Sequence, residues 1–184
     1  MRIVAFVSCL LLLLTALKYP ENPPPAHTGG FGEPSCHTCH FDGGVNEGDG
    51  SLILSGLAEG YDAGTSHTVE VLLAKEEMMR AGLQLSARYA NGSNAGVQAG
   101  TFVMINDRLT IDTENNIQYV RHTKPGTNLS ENGKARWAMR WDAPETFDRG
   151  DTVVFHLAAN ASNGDDSEFG DFIYLEEVMV KVHP

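Results

Sequence analysis

Residues 134–141 read KARWAMRW, and their alternation is the clearest secondary-structure signal in the chain. Every second position carries a small or apolar side chain: Ala135, Trp137, Met139 and Trp141. Between them stand Lys134, Arg136, Ala138 and Arg140. Successive side chains of a β-strand point to opposite faces of its sheet, so a period of two is typical of a half-buried strand. The stretch therefore predicts a strand with one face in a core and one in solvent.

Similar short apolar runs recur on both sides of this stretch, and Gly- and Asn-rich turns separate them. The predicted strands cover residues 67–74, 82–89, 101–105, 151–158 and 172–182, and another ends near Thr123. No helical period extends beyond about three turns, although residues 75–81 fit either a brief helix or a bulged strand end. Roughly seven or eight strands at this spacing predict an all-β chain, folded as an immunoglobulin-like antiparallel β-sandwich.

Length and charge limit the class of protein. The chain has 184 residues, and 13 Lys and Arg against 24 Asp and Glu give a net charge of −11. This length supplies one ordinary hydrophobic core, so a single domain is expected. An acidic surface repels the phosphates of nucleic acids and anionic lipids. We therefore expect one folded domain with no nucleic-acid partner.

The N-terminal region has the pattern of an export signal. Arg2 precedes the apolar run IVAFVSCLLLLLTAL, which is shorter than the ~20 residues that span a bilayer comfortably. Residues 1–17 are therefore predicted to be a cleaved signal peptide or a retained N-terminal anchor that tethers the chain to the membrane. Residues 18–34 are rich in Pro and Gly and predict an extended, poorly folded leader. We expect an exported domain over residues 35–184, in the periplasm or at the cell surface.

One short motif carries recognisable chemistry. Residues 36–40 read CHTCH, the C-x-x-C-H attachment sequence of c-type haem. In such a motif the two thiols, here Cys36 and Cys39, add to the haem vinyl groups, and the next histidine, His40, binds the iron. Loss of residues 1–17 would remove Cys9, leaving these two cysteines in an oxidising compartment. The motif predicts one covalent haem c, held by an N-terminal haem-attachment loop.

Three other interpretations of the motif remain open. A disulfide between the two cysteines leaves His40 unexplained. A zinc site needs four converging ligands, and the sequence has no second C-x-x-C and no H-x-x-x-H. A thioredoxin-like redox pair normally opens a helix in a βαβ unit, whereas this motif follows a Pro-rich leader. Haem attachment is favoured because it uses all three residues.

An electron-carrying haem iron usually takes a sixth ligand from a Met or His. His122 ends a predicted strand, and Met78 and Met79 lie in the polar stretch EEMMRAG. Each also has an ordinary structural explanation, His122 as a strand-end histidine and the methionines as core residues. His37 is expected to point away from the iron, and four other histidines are expected at the surface: His27, His67, His156 and His183.

Weaker signals concern charge. Arg80, Arg88 and Arg121 are candidates for pairing with haem propionates, although solvated arginines are the commoner case. Two oxygen-rich loops, 42–49 and 160–171, lack the spacing of a calcium loop and indicate solvated turns. No nucleophile and base pair, phosphate-binding loop or carboxylate pair stands out. The sequence thus favours an electron carrier or haem-binding protein over an enzyme.

Five blocks in the same order resemble an exported bacterial family labelled choice-of-anchor V, which looks like a Reeler-type β-sandwich preceded by a c-type haem motif. The blocks are TGGFGEPSCHTCH, MMRAGLQLSARYANGSNAG, YVRHTKPGT, RWAMRWDAP and VVFHLAANASNGDDSEFGDFIY, and they run over about residues 27–175. The resemblance implies a Reeler-like sandwich with haem bound near the leader by Cys36, Cys39 and His40. One departure is Leu83, where the family often has Phe.

The resemblance also bears on the second iron ligand and on function. His122 falls in the family's His-Thr block and Met79 in its Met-x-x-Gly-x-Gln block, and we favour His122 over Met79. The resulting expectation is an exported monohaem c-type cytochrome-like protein that passes single electrons to or from a redox partner protein. Two alternatives stay open: an interaction or adhesion module with a structural haem, and a haem sensor or peroxidase-like protein with an open distal site.

Overall fold

The computed structural model describes residues 23–57, 60–146 and 151–183. Within them nine strands form two antiparallel sheets, with orders β1-β2-β7-β4 and β5-β6-β3-β8-β9. The strands are β1 Ser51–Ser55, β2 Ser66–Ala74, β3 Arg80–Tyr89, β4 Thr101–Met104, β5 Leu109–Glu114, β6 Ile117–His122, β7 Lys134–Asp142, β8 Thr152–Ser162 and β9 Phe172–Lys181. The predicted all-β antiparallel sandwich is confirmed, with more strands than expected. The predicted signal peptide or anchor, residues 1–17, lies outside the described residues.

The core lies between the two sheets, and β7 contributes its centre. The alternating residues of this strand, Ala135, Trp137, Met139 and Trp141, are at most 1% exposed. Trp141 packs edge-on against Phe155 of β8 in the opposite sheet, with ring centroids 5.1 Å apart. Its Nε1 donates to the Ala99 carbonyl at 3.1 Å, and the Trp137 Nε1 donates to the Gly126 carbonyl at 2.9 Å. Burial of the indoles therefore leaves neither N–H unsatisfied.

Two local expectations need correction. Residues 75–79 form a turn that leads into β3, with Glu77 in the left-handed region at φ 61°, and the brief helix is not found. Met78 enters the core at 3% exposure, whereas Met79 stays 64% exposed. Strand β5 was not predicted, because its sequence LTIDTE alternates weakly. It pairs with β6 through a tight turn at Asn115 and Asn116, both at positive φ, which is typical of a two-residue hairpin.

The described part of the leader, residues 23–34, lies across the outer face of the five-stranded sheet. The His27 backbone N–H donates to Gln84 Oε1 at 2.6 Å, and Gln84 Nε2 donates to the Pro24 carbonyl at 2.8 Å. Gly30 packs so closely on His156 that an added Cβ would lie 2.3 Å from the ring. The expectation of a poorly folded leader is wrong here, because polar side chains of the sheet bind the leader's backbone. No helix in the described ranges is long and apolar enough to cross a membrane.

Candidate functional site

The C-x-x-C-H motif forms a single tight turn. Residues Cys36–Thr38 are a 3-10 helix, and the Ser35 Oγ before it accepts a hydrogen bond from the His37 N–H at 3.3 Å. The backbone N–H groups of Cys39 and His40 both donate to the Cys36 carbonyl, at 3.2 and 3.1 Å. Side chains three residues apart in a 3-10 helix eclipse one another. The turn therefore places both cysteine side chains on the same side.

The two thiols are free and differ in access. Cys36 is half-buried and Cys39 is exposed. Burial raises the pKa of the Cys36 thiol to about 12, and the nearby Cys39 raises it further, against a lowering by a backbone hydrogen bond. Cys36 is therefore a protonated thiol at neutral pH, and Cys39 is the one that solvent and reagents reach first.

His40 is held by a buried carboxylate. Its Nδ1 lies 2.8 Å from Asp171 Oδ2, and the Asp171 side chain is 1% exposed. Asn160 Nδ2 donates to the same oxygen at 2.9 Å and lies 3.2 and 3.4 Å from the two ring nitrogens of His40. When Nδ1–H donates to the carboxylate, Nε2 keeps its lone pair. This is the arrangement in which proteins hold metal-binding histidines.

Asp171 is stabilised as an anion despite its burial. Burial by itself would raise the pKa of this carboxyl group, but hydrogen bonds from His40 and Asn160 and the N–H of Asn163 outweigh it and lower the pKa. The Asn163 N–H donates to Oδ1 at 3.2 Å, so both carboxylate oxygens are occupied. The carboxylate is thus charged and fixed in orientation beside His40.

His122 lies at the end of β6 and is buried. Its Nδ1 lies 3.0 Å from the Leu83 N–H nitrogen and 3.2 Å from the Leu83 carbonyl oxygen, so it accepts from the N–H when Nδ1 is unprotonated and donates to the carbonyl when protonated there. Burial lowers the pKa of His122 to about 4, the Leu83 backbone opposes this, and the positive charge of Arg121 adds to it. The imidazole is therefore neutral at physiological pH, the form in which histidine binds metals.

Gly82 on β3 lies between His122 and Asn160, the residue that contacts His40. It pairs with Asn160 across β3 and β8, and an added Cβ would lie 3.1 Å from His122 Cε1 and 3.7 Å from Asn160 Cβ. Because Asn160 also contacts His40, the fold brings His40 and His122 to the same end of the five-stranded sheet, on either side of β3. A side chain at position 82 would therefore press on the His122 ring.

Met79, the alternative ligand, lies beside the loop that joins β8 and β9. The Met79 N–H donates to the Ser162 carbonyl at 2.9 Å, and a Cβ added to Gly164 would lie 2.8 Å from the Cβ of Met79. The same loop ends at Asp171. The Met79 side chain is thus exposed near the candidate site. The other histidine of the motif, His37, donates a hydrogen bond from Nε2 to the Gly43 carbonyl oxygen at 2.8 Å.

An exposed aromatic pair adjoins the motif. Phe41 and Phe169 are 58% and 53% exposed, and their rings meet edge to face with centroids 5.9 Å apart. The Gly170 N–H donates to Asp42 Oδ2 at 3.0 Å, which joins the segment after the motif to the β8–β9 loop. These rings offer an apolar surface next to His40 that a hydrophobic group would cover.

Two of the three candidate arginines have structural partners. Arg88 pairs with Glu33 under the leader, and Arg121 pairs with Asp112. Arg80 makes only an exposed pair, 3.3 Å from Asp166. It also lines a groove of about 280 Å³ with Lys124, Pro125, Thr127 and Asn128. Of the three arginines, only Arg80 therefore keeps an exposed guanidinium, two residues before Gly82.

Several residues of this site carried no usable sequence signal. Asn160 and Gly82 come together only through strand pairing, and Phe41 and Phe169 through loop contacts. Asp171 had a weak one, since it stands directly before the apolar run FIYL at the end of a loop expected to be solvated. Among the described residues, no group of three or more His, Cys, Asp or Glu side chains converges as a metal site.

Comparison with known proteins supports the fold. No protein-family profile matches the chain, and no curated protein matches it. The Reelin-N domain of F-spondin is similar in structure, with 20% identity and a TM-score of 0.50, over 80% of this chain and 97% of that domain. The human F-spondin reeler domain gives 20% identity and a TM-score of 0.49, over 76% of this chain and 96% of that domain. Identity this low shows the fold alone, and the chain has a Reeler-like β-sandwich fold.

Proposed function

We propose that the protein is an exported monohaem c-type cytochrome-like protein, with one haem c attached through Cys36 and Cys39. The observation that carries the proposal is the state of His40. It directly follows two free thiols on one tight turn, and the buried Asp171 carboxylate binds its Nδ1 at 2.8 Å. A simple disulfide or an exposed turn gives no reason for that carboxylate.

The surroundings of His40 fit a haem. Gly82 lets the His122 ring pack closely on β3 beside Asn160, and the exposed rings of Phe41 and Phe169 supply apolar surface beside the motif. When bound, a haem supplies a one-electron redox centre. Cys36 and Cys39 would anchor it, and His40 would bind the iron through Nε2.

The second ligand is proposed to be His122, with Met79 as the alternative. His122 is neutral and lies at the same end of the sheet as His40, whereas Met79 is exposed beside the β8–β9 loop. A histidine in this position favours a lower reduction potential than a methionine does. The exposed turn around Cys39 would leave a haem edge open to a redox partner protein in the periplasm or at the cell surface.

The test is a pyridine haemochrome spectrum with an intact mass, on protein from a host that carries the c-type maturation system. We expect a c-type band and a mass increase of one haem. The paired substitution Cys36→Ser/Cys39→Ser, which keeps side-chain size, should abolish both. A wild-type chain without haem and two hydrogens lighter than its reduced form would show a disulfide instead. That result would favour an interaction module with a Reeler-like fold.

A second candidate is a haem sensor or peroxidase-like protein with an open distal site. The burial of His122, which is 8% exposed, favours it, because a buried imidazole is held back from an iron bound at the exposed turn. The two candidates differ in spin state. Electron transfer predicts six-coordinate low-spin iron that becomes high-spin in His122→Ala and stays low-spin in Met79→Ala. High-spin wild-type iron that binds carbon monoxide without displacing a protein ligand would support the open site.

A further inference from the structure

We propose that Asp171 is a positioning residue for His40, which fixes the tautomer and orientation of the imidazole and strengthens its donation to the iron. The inference rests on the proposed function and adds to it a residue that sets the reduction potential. Asp171 lies far along the chain from the motif and forms no part of its attachment chemistry. It reaches His40 only because the β8–β9 loop folds back onto the turn.

The contact geometry is that of a fixed support. Asp171 Oδ2 lies 2.8 Å from His40 Nδ1, and the carboxylate is 1% exposed while the imidazole is 29% exposed. Asn160 Nδ2 donates to Oδ2 at 2.9 Å and the Asn163 N–H donates to Oδ1 at 3.2 Å. These donors prevent the carboxylate from rotating. The carboxylate therefore holds the ring of His40 from its Nδ1 side, and Asn160 Nδ2 lies 3.4 Å from Nε2, where a bound iron would replace that contact.

The hydrogen bonds that Asp171 accepts from its own loop and from β8 do not by themselves require a charge. Burial of a carboxylate costs free energy, and a neutral Asn would accept the same hydrogen bond from the Asn163 N–H. The neighbouring Asp165 and Asp166 hold the loop without being buried, Asp165 by accepting from the Ser167 N–H and Asp166 by pairing with Arg80. Of these three loop aspartates, the buried one is therefore the residue that faces His40.

The charge has a direct consequence for the iron. A carboxylate that accepts the Nδ1 proton makes the imidazole a stronger donor at Nε2. Stronger donation stabilises ferric over ferrous iron, which lowers the reduction potential. Asp171→Asn keeps the shape of the side chain and removes the charge, so it should raise the potential.

The experiment is a spectroelectrochemical titration of the haem-loaded full chain for wild type and three variants. Asp171→Asn should keep the c-type band and shift the potential upward. Asn160→Ala removes a donor that competes with His40 for Asp171 Oδ2, and it also removes the amide that lies 3.2 and 3.4 Å from the two ring nitrogens of His40. Both changes strengthen donation from Nε2, so the potential should shift downward. Asp166→Asn, a loss of charge at a 77% exposed side chain of the same loop, should leave the potential unchanged.

The outcomes separate this inference from the proposed function. A wild-type chain without a haemochrome band overturns both. If the wild-type chain binds haem and both Asp171→Asn and Asn160→Ala have its reduction potential, the proposed role of Asp171 is overturned and the proposed function stands. Shifts in the same direction for these two variants also overturn it, because loosening of the loop would act alike in both. If Asp171→Asn does not fold, the reduction potential of Asn160→Ala is compared with that of Asp166→Asn. A lower potential in Asn160→Ala supports the role of Asp171, and an equal or higher one overturns it.

Discussion

Substitution of Gly82 by Val should separate haem attachment from distal ligation. Gly82 lies on β3 between Asn160 and His122, and both contacts are made on the side where its Cβ would project. The attachment turn at Cys36 and Cys39 belongs to a different segment. We therefore expect the variant to carry covalent haem and to lose the His122 ligand.

The size of the perturbation follows from the distances. An ideal Cβ at position 82 lies 3.1 Å from His122 Cε1 and 3.4 Å from its Nδ1. Optimal carbon–carbon contacts are about 3.5–4.0 Å, so Ala requires a shift of a few tenths of an ångström. The gain of about 0.5–1 kcal/mol from replacing a strand glycine offsets that strain, and Gly82→Ala should be nearly neutral. Val adds two methyl groups at contact distance and should lower the free energy of unfolding by about 1–3 kcal/mol.

The assay combines urea unfolding of the unloaded chain with the absorption spectrum of the loaded one. Gly82→Val should show a c-type band but high-spin iron, whereas Gly82→Ala should resemble wild type. Gly43→Val is the matched control, since its nearest neighbour is the Asp171 carbonyl oxygen at 3.9 Å. A Gly82→Val spectrum identical to wild type, with the stability loss present, would refute the placement of the distal ligand beside this glycine.

Two further predictions concern the leader and the thiols. Glu33→Gln removes the charge that faces buried Arg88, whose guanidinium also donates to the Tyr119 hydroxyl. It should lower the free energy of unfolding in urea by about 3 kcal/mol, against less than about 0.5 kcal/mol for exposed Asp166→Asn. Equal losses would contradict a buried ion pair. In the unloaded, reduced chain, iodoacetamide should modify exposed Cys39 before half-buried Cys36, as followed by mass spectrometry, because burial raises the pKa of Cys36 to about 12 and the thiolate is the reactive form. Similar alkylation rates would contradict the raised pKa of Cys36.

Most of the sheet structure was predictable because burial leaves a local trace. The alternation in residues 134–141 predicted β7 nearly to its ends, since each inward side chain of this strand enters the core. The hairpin strand β5 escaped prediction because its alternation is weak, and Asn115 and Asn116 gave the turn no glycine. The leader was misjudged for a different reason. The leader is held in place by hydrogen bonds from side chains on other segments, such as Gln84 on β3, and the sequence of the leader itself carries no sign of these contacts.

The attachment motif is a local feature, because two thiols and a histidine within five residues suffice to hold a haem, and the chain order alone therefore points to Cys36, Cys39 and His40. The support around them is not local. The buried partner Asp171 and the close packing of Asn160 and His122 at Gly82 exist only because β3 pairs with β8 and the β8–β9 loop returns to the turn. Strand pairing joins residues far apart in the chain according to the packing of the whole core, so tertiary structure alone decided which carboxylate faces His40.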